Sequence, residues 1–405
     1  MSDAKLVNVD AKRRRRIMLA ALAAGLVGIA GTWGALHYSA PMYRSPSAYT
    51  DGERYVFMPS HNTRAVAVLD GKTERVVAQL ELSGVPVQTA VSEAAGVIVA
   101  AFADRNALDV VALADASRPP PIELPIFPES LVMSPDGYLI AVADSKRGAV
   151  TIVSLQQRKP LFTVSGFGDA RHLTFSADGS QLYVADGGAL EVAFVDLVQQ
   201  KVIERVPLAR NGKSTGLQAP AVISPVTRTP DGRLGFVSMK EANAVAVIDL
   251  TVAELVKWLP VGHAPTRAYG TADGRLMLVP NEGDSSVSVI DTSTLQVSAT
   301  LPGARDVAAI STGWFESHAF VMSRSEKRIV VLDLMKFDKV GEIALPGSAG
   351  AGVVNSAGQK LYVPVPDTDE TAVIDTRTYT LATLVRGVGH GPWSALMARS
   401  NNYCH

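Results

Sequence analysis

His172, His263 and His390 each stand in a loop that leads into an apolar run, with Arg171 beside the first and Arg228 and Arg267 at comparable places in two other segments. A neutral imidazole ligates a metal or a haem iron, and a guanidinium grips a carboxylate or phosphate through paired hydrogen bonds. Together such residues suit a small anionic or metal-containing ligand. His61, in a polar loop of its own, is placed to join them. The same side chains serve equally well to tie neighbouring elements together, and that structural reading stands beside the functional one. No catalytic residue is assigned, because no Ser-His-Asp arrangement, paired metal-binding cysteines or helical His-x-x-x-His spacing is present. Gly212-Lys213-Ser214 lacks the full phosphate-loop spacing and its strand-to-helix setting. The ending Asn401 to His405 has Cys404-His405 but no first cysteine for covalent haem attachment.

The elements that carry these residues repeat. Turns of Asp-Gly type fall at Asp51-Gly52, Asp136-Gly137, Asp178-Gly179, Asp231-Gly232 and Asp273-Gly274, with looser counterparts at Ala95-Gly96, Trp314 to Ser317 and Ala357-Gly358. Markers at 51, 94, 136, 178, 231, 273, 315 and 357 are separated by 43, 42, 42, 53, 42, 42 and 42 residues. Periods of this size belong to four-stranded propeller blades. Each repeat reads as a leading loop, a first strand, the tight turn, a second strand, a polar loop, a third strand ending in Asp and an outer fourth strand. In the copy at 261–301 these are Val261 to Arg267, the turn Ala272 to Arg275, strands Leu276 to Val279 and Val287 to Asp291, and the outer strand Gln296 to Leu301. The Asp that ends the third strand (Asp70, Asp249, Asp291, Asp333, Asp375) is expected to lock the next turn by accepting backbone hydrogen bonds.

The fold expected is all-β, an eight-bladed β-propeller, or seven-bladed if the degenerate unit at Ala95 is discounted. The first unit lacks an inner strand and the last is followed by an orphan strand, Trp393 to Ala398, which is expected to complete it and close the ring. Leading loops and second-to-third-strand loops then share one face around the central channel, which brings the histidines and arginines together. The long step carries an insertion at 209–220, expected to be a solvated lid or partner loop.

At 405 residues with 47% apolar composition, 49–405 reads as one domain. The net charge of -1 argues against nucleic acid as a partner. A basic segment, 1–16, containing Lys12 to Arg16, precedes an apolar segment, 17–37, about long enough to span a bilayer as a transmembrane helix. The basic end is expected to stay in the cytoplasm, which puts the propeller in the periplasm on a tether, 38–48. Arg14-Arg15-Arg16 also fits a twin-arginine export signal, but the small-residue pattern after Ala40 suits cleavage poorly, so an uncleaved inner-membrane anchor is the expectation. The single cysteine, Cys404, excludes an intramolecular disulfide.

Ser134-Pro135-Asp136-Gly137, Leu182-Tyr183-Val184-Ala185-Asp186, Val287 to Asp291 and Val261-Gly262-His263-Ala264-Pro265 resemble the YVTN-type propeller repeats of prokaryotic exported proteins. The eight-unit ring, with Ala170-Arg171-His172-Leu173-Thr174-Phe175-Ser176-Ala177-Asp178-Gly179, also resembles the haem d1-binding propeller domain of dissimilatory nitrite reductases and the related proteins of haem maturation. That resemblance implies haem d1 as cofactor, His172 as proximal iron ligand, His263 or His390 on the distal side, and Arg171, Arg228 and Arg267 holding propionates. This sequence has no Cys-x-x-Cys-His, so electrons would come from a periplasmic redox partner. Three functions remain open: a tethered binding protein for a small anionic or metal-containing ligand or redox partner, a protein that binds or matures a d1-type haem, and a protein-interaction scaffold.

Overall fold

The computed structural model describes residues 49–209, 219–313 and 315–399. The basic segment, the apolar run and the tether, nearly all of the insertion, Trp314 and the Cys404-His405 end lie outside the described residues. Among the described residues no helix is long and apolar enough to cross a membrane.

Seven sheets have four strands and one has three, every neighbouring pair antiparallel and in sequence order. The third blade runs from inner to outer strand as Ser130–Met133, Leu139–Asp144, Ala149–Ser154 and Lys159–Ser165. The second and third strands of each blade are buried on both faces, so they read as largely apolar runs such as Ala65 to Leu69. The outermost strands face a neighbour on one side only and alternate, as Lys159–Ser165 does residue by residue.

The three-stranded sheet is the first blade, and the chain's end completes it. The Phe57 N–H donates to the Leu396 carbonyl at 2.8 Å, the Leu396 N–H donates back at 2.9 Å, and the Trp393 N–H reaches the Pro59 carbonyl at 3.2 Å. Eight blades therefore close into a ring with its first and last residues in one sheet.

Two local chemistries shape the turns. Gly179 and Gly274 sit at φ +72, where a Cβ is strained, and this is why Asp-Gly marks the turn between the first and second strands. The seventh blade has no glycine there, and Phe315 and Glu316 take φ +55 and +59 instead. The aspartates ending the third strands do lock the following turns: Asp291 Oδ1 accepts from the N–H groups of Ser293 at 2.9 Å and Thr294 at 2.8 Å, and Asp375 Oδ1 from Arg377 at 2.9 Å and Thr378 at 3.0 Å.

The innermost strands of the fifth and sixth blades are shorter than the repeat suggests, only Thr227–Arg228 and Tyr269–Gly270. Pro225 and Pro265 stand just before them and have no N–H to give to a ladder. Side chains take over the lacing. The Gln88 Oε1 accepts the Leu131 N–H at 2.7 Å, Ser130 Oγ donates to the Arg171 carbonyl at 2.7 Å, and Thr174 Oγ1 and Thr227 Oγ1 donate to the Val226 and Ala268 carbonyls, each at 2.8 Å.

Candidate functional site

The inner strands enclose a channel cavity of about 500 Å³, within the range of small-ligand and cofactor pockets. Gln88, Arg267 and Trp393 line its end nearer the leading loops, Thr174, Phe175 and Arg228 line its middle, and Glu93 and Asp136 lie at the opposite end. Both cationic side chains in its wall are arginines. Arg267 lies over the Tyr269 ring at 5.9 Å from the centroid, and its Nε is buried with no hydrogen-bond partner. Among the described residues its guanidinium makes no hydrogen bond and no ion pair. Arg228 spends its Nε on the Phe175 carbonyl at 3.1 Å, a tie between blades, and makes no ion pair among the described residues.

His172 begins the inner strand of the fourth blade, His172–Phe175, two residues before the cavity-lining Thr174. Burial pushes its imidazolium down to about 4; Asp169 opposes this, and the positive charges of Arg171 and Arg267 add to it. At neutral pH the ring is therefore uncharged, and among the described residues it makes no hydrogen bond, which leaves an acceptor nitrogen free to ligate. The linkage has a definite sign. With the folded value near 4 and an unfolded value of 6.5, the unfolded chain binds the proton more readily in that window. Stability should thus fall by up to about 3 kcal/mol between pH 6.5 and 4, and a His172→Gln variant should show a shallower loss in urea titrations over that range.

The loop ahead of His172 is held by a buried anion. Asp186 is fully buried, and its carboxylate accepts the N–H groups of Gly168 and Asp169, both at 2.7 Å, and of Gly188 and Ala189 at 2.9 and 3.1 Å. Gly168 and Gly188 let two loops touch through their backbones, since a Cβ on Gly188 would sit 2.5 Å from the Gly168 carbonyl carbon. Asp186→Ala strands these donors and is expected to cost at least about 3 kcal/mol by denaturant melt.

The six expected site residues do not form one cluster. Arg228 and Arg267 line the cavity, and His172 lies close enough to Arg267 to feel its charge. The other three occupy the rim. Arg171 is exposed and ion-paired with Asp169 at 2.9 Å. His390, its side chain 73% exposed, pairs Nδ1 with Asp369 Oδ2 at 2.8 Å. His263 is exposed, and its backbone N–H donates to Asp284 at 2.9 Å. Position along the repeat separates the two groups: Arg228, Arg267 and His172 stand three, six and six residues before the Asp of their turns, whereas Arg171 and His263 stand seven and ten residues before theirs. His318, on the far face, bonds Tyr379 Oη at 2.5 Å and Ser317 Oγ at 2.7 Å. Among the described residues no group of three or more His, Cys, Asp or Glu is placed to hold a bare metal ion.

Sequence reasoning did not single out Gln88, Thr174, Phe175 or Trp393 as wall residues. Their signal was positional: Met133, Phe175 and Arg228 each stand three residues before the Asp of their turn and all line the cavity.

With the ring and its channel in place, the comparison with known families is specific. The model of the YNCE-like beta-propellers matches residues 74–398. This chain belongs to the YNCE-like β-propeller family. The chain is also similar to Protein NirF of Pseudomonas aeruginosa, 36% identical over 146 residues, 34% of this chain and 33% of that protein. The match spans about a third of the relative's length. Among solved structures, the dihydro-heme d1 dehydrogenase NirN in complex with DHE superposes with a TM-score of 0.72 at 15% identity, covering 89% of this chain and 78% of NirN. The hydrazine synthase of Kuenenia stuttgartiensis gives a TM-score of 0.52 at 16% identity over 72% of this chain and 95% of that one. At such identities the structures show a shared propeller fold. The resemblance to both propeller repeats and d1-type propellers, drawn above from the repeats and the His172 stretch, accords with these relatives.

Proposed function

We propose that this YNCE-like propeller binds a d1-type haem or a close precursor in its channel. The observation that carries the reading is a cavity-lining guanidinium, Arg267, with a buried Nε and no anionic partner among the described residues, whose charge is felt by the imidazole of His172, kept neutral by burial. A burial of this kind is costly unless something compensates it. A carboxylate-bearing tetrapyrrole fits both groups, because Arg267 and Arg228 take carboxylates while the free His172 nitrogen takes the iron. The complex of NirN with DHE, on the same fold, supports the choice of ligand class. When bound, such a haem supplies a redox-active iron. His172 would hold it through a ring nitrogen, and Phe175 and Met133 keep the wall apolar.

We also place the propeller in the periplasm on an inner-membrane anchor formed by 17–37, receiving electrons or cofactor from a periplasmic partner. The sequence pattern supports this: five consecutive basic residues followed by the apolar run. The full chain is expected to stay in the membrane pellet through alkaline carbonate washing, and recovery in the soluble fraction would refute the anchor.

The ligand is tested by titrating d1-type haem into the purified full chain and following the absorbance. A saturable change at one equivalent is expected. Strictly linear absorbance, identical to the free haem, would end the haem reading.

A further inference from the structure

The wall of the channel also contains an aromatic pair with no structural need for its polar edge. Trp393 lines the cavity, and its indole stacks on His61 with ring centroids 5.4 Å apart and planes at 21°. Ring closure sets it there, since the Trp393 N–H donates to Pro59 and its carbonyl accepts the Ala351 N–H at 3.0 Å. The indole N–H itself is buried with no acceptor among the described residues, as is Arg267 Nε in the same lining. A polar contact therefore does not explain where this indole sits. An unmet polar atom is a cost that a packed wall normally avoids, and with Thr89 Oγ1 three of them fall on residues of this one lining, which suits a wall that takes up a further group. His61 is exposed and stands outside the lining itself, so the stack joins the cavity wall at Trp393 to the surface.

We propose that Trp393 and His61 form a stacking wall that selects a planar, conjugated, anionic ring, with Arg267 in the same lining taking one of its carboxylates. Stacking rewards a flat π-face whatever its metal, whereas charge alone rewards any polycarboxylate. This deepens the haem reading and rests on it for the choice of ring, but the wall acts on the macrocycle and His172 on the iron, so the two fail separately.

The probe is metal-free coproporphyrin, a planar tetracarboxylate with no iron for His172 to ligate, titrated into the full chain and followed by porphyrin absorbance and tryptophan emission. Butane-tetracarboxylate, which carries the charge without the plane, is the competitor. Coproporphyrin should bind and quench emission, and a large excess of the competitor should displace it poorly. Trp393→Phe should hold affinity within about threefold, Trp393→Leu should lose tenfold or more, and the surface change His61→Ala should lose several-fold without altering the melting temperature. Unchanged affinity in both Trp393→Leu and His61→Ala overturns the wall, as does absence of coproporphyrin binding by the wild-type chain. Efficient displacement by butane-tetracarboxylate overturns it too, by showing that charge alone is read. Binding of coproporphyrin together with no response to iron-containing haem leaves the wall standing and removes the iron assignment.

Discussion

Ending the chain at Gly391 is expected to abolish the folded monomer. The residues removed include the inner strand of the first blade, whose hydrogen bonds to Phe57 and Pro59 join the two ends of the ring. Ala395 and Met397 are buried at 4% exposure each, packed with Val56, Met58 and Val353. Losing that apolar burial, together with the stranded backbone groups at Phe57, Pro59 and Ala351, amounts to more than about 5 kcal/mol. A domain's whole stability is of order 5–15 kcal/mol, so little is left. The unpaired edge of Tyr55–Pro59 would also invite association with other chains. Size-exclusion chromatography should show aggregate or expanded chain in place of the wild-type peak. A truncated protein that elutes and melts like the full chain would mean that the ring does not depend on this strand.

Arg267→Ala is expected to weaken binding of a carboxylate-bearing tetrapyrrole by about 10- to 100-fold, the scale of one lost charge-assisted hydrogen-bonding group. Stability should change little in the same variant, because the half-buried guanidinium has no ion pair among the described residues and the alanine forfeits only its contact over the Tyr269 ring. This pairing of weaker binding with an undiminished melt separates a ligand-holding arginine from a structural one. Arg267→Lys keeps the charge but loses the planar fork, and should fall between the two. His172 should respond as well, since the Arg267 charge is one of the causes that hold its imidazolium down to about 4. An Arg267→Ala protein with wild-type affinity, or one that melts markedly lower, would remove Arg267 from the site.

The fold was legible because its signal is repetition. Turns recurring at 42 residues, apolar second and third strands, and an Asp at the third-strand end of six blades are local patterns, with local causes in glycine's positive φ and an Asx-type lock. Even closure by Trp393 to Ala398 could be read, as a strand without a blade paired with a blade short of a strand. The site was legible only in part. The leading loops point to His263 and His390, but depth along the channel depends on each residue's register with its turn. That register separates Arg228 and Arg267, in the wall, from Arg171, which turns to Asp169 in solvent. The neighbours of His172 in space come from other blades, Arg267 two blades away, and no single segment records that proximity.

The central claim is that His172 and Arg267 face one ligand inside the ring. Its most direct test is a crystal of the full propeller grown with a d1-type haem, with the iron located by its anomalous scattering. The account predicts one iron peak within bonding distance of a His172 ring nitrogen and a ligand carboxylate on Arg267. An iron found on the rim at His263 or His390, or on the outer surface of the blades, would contradict it.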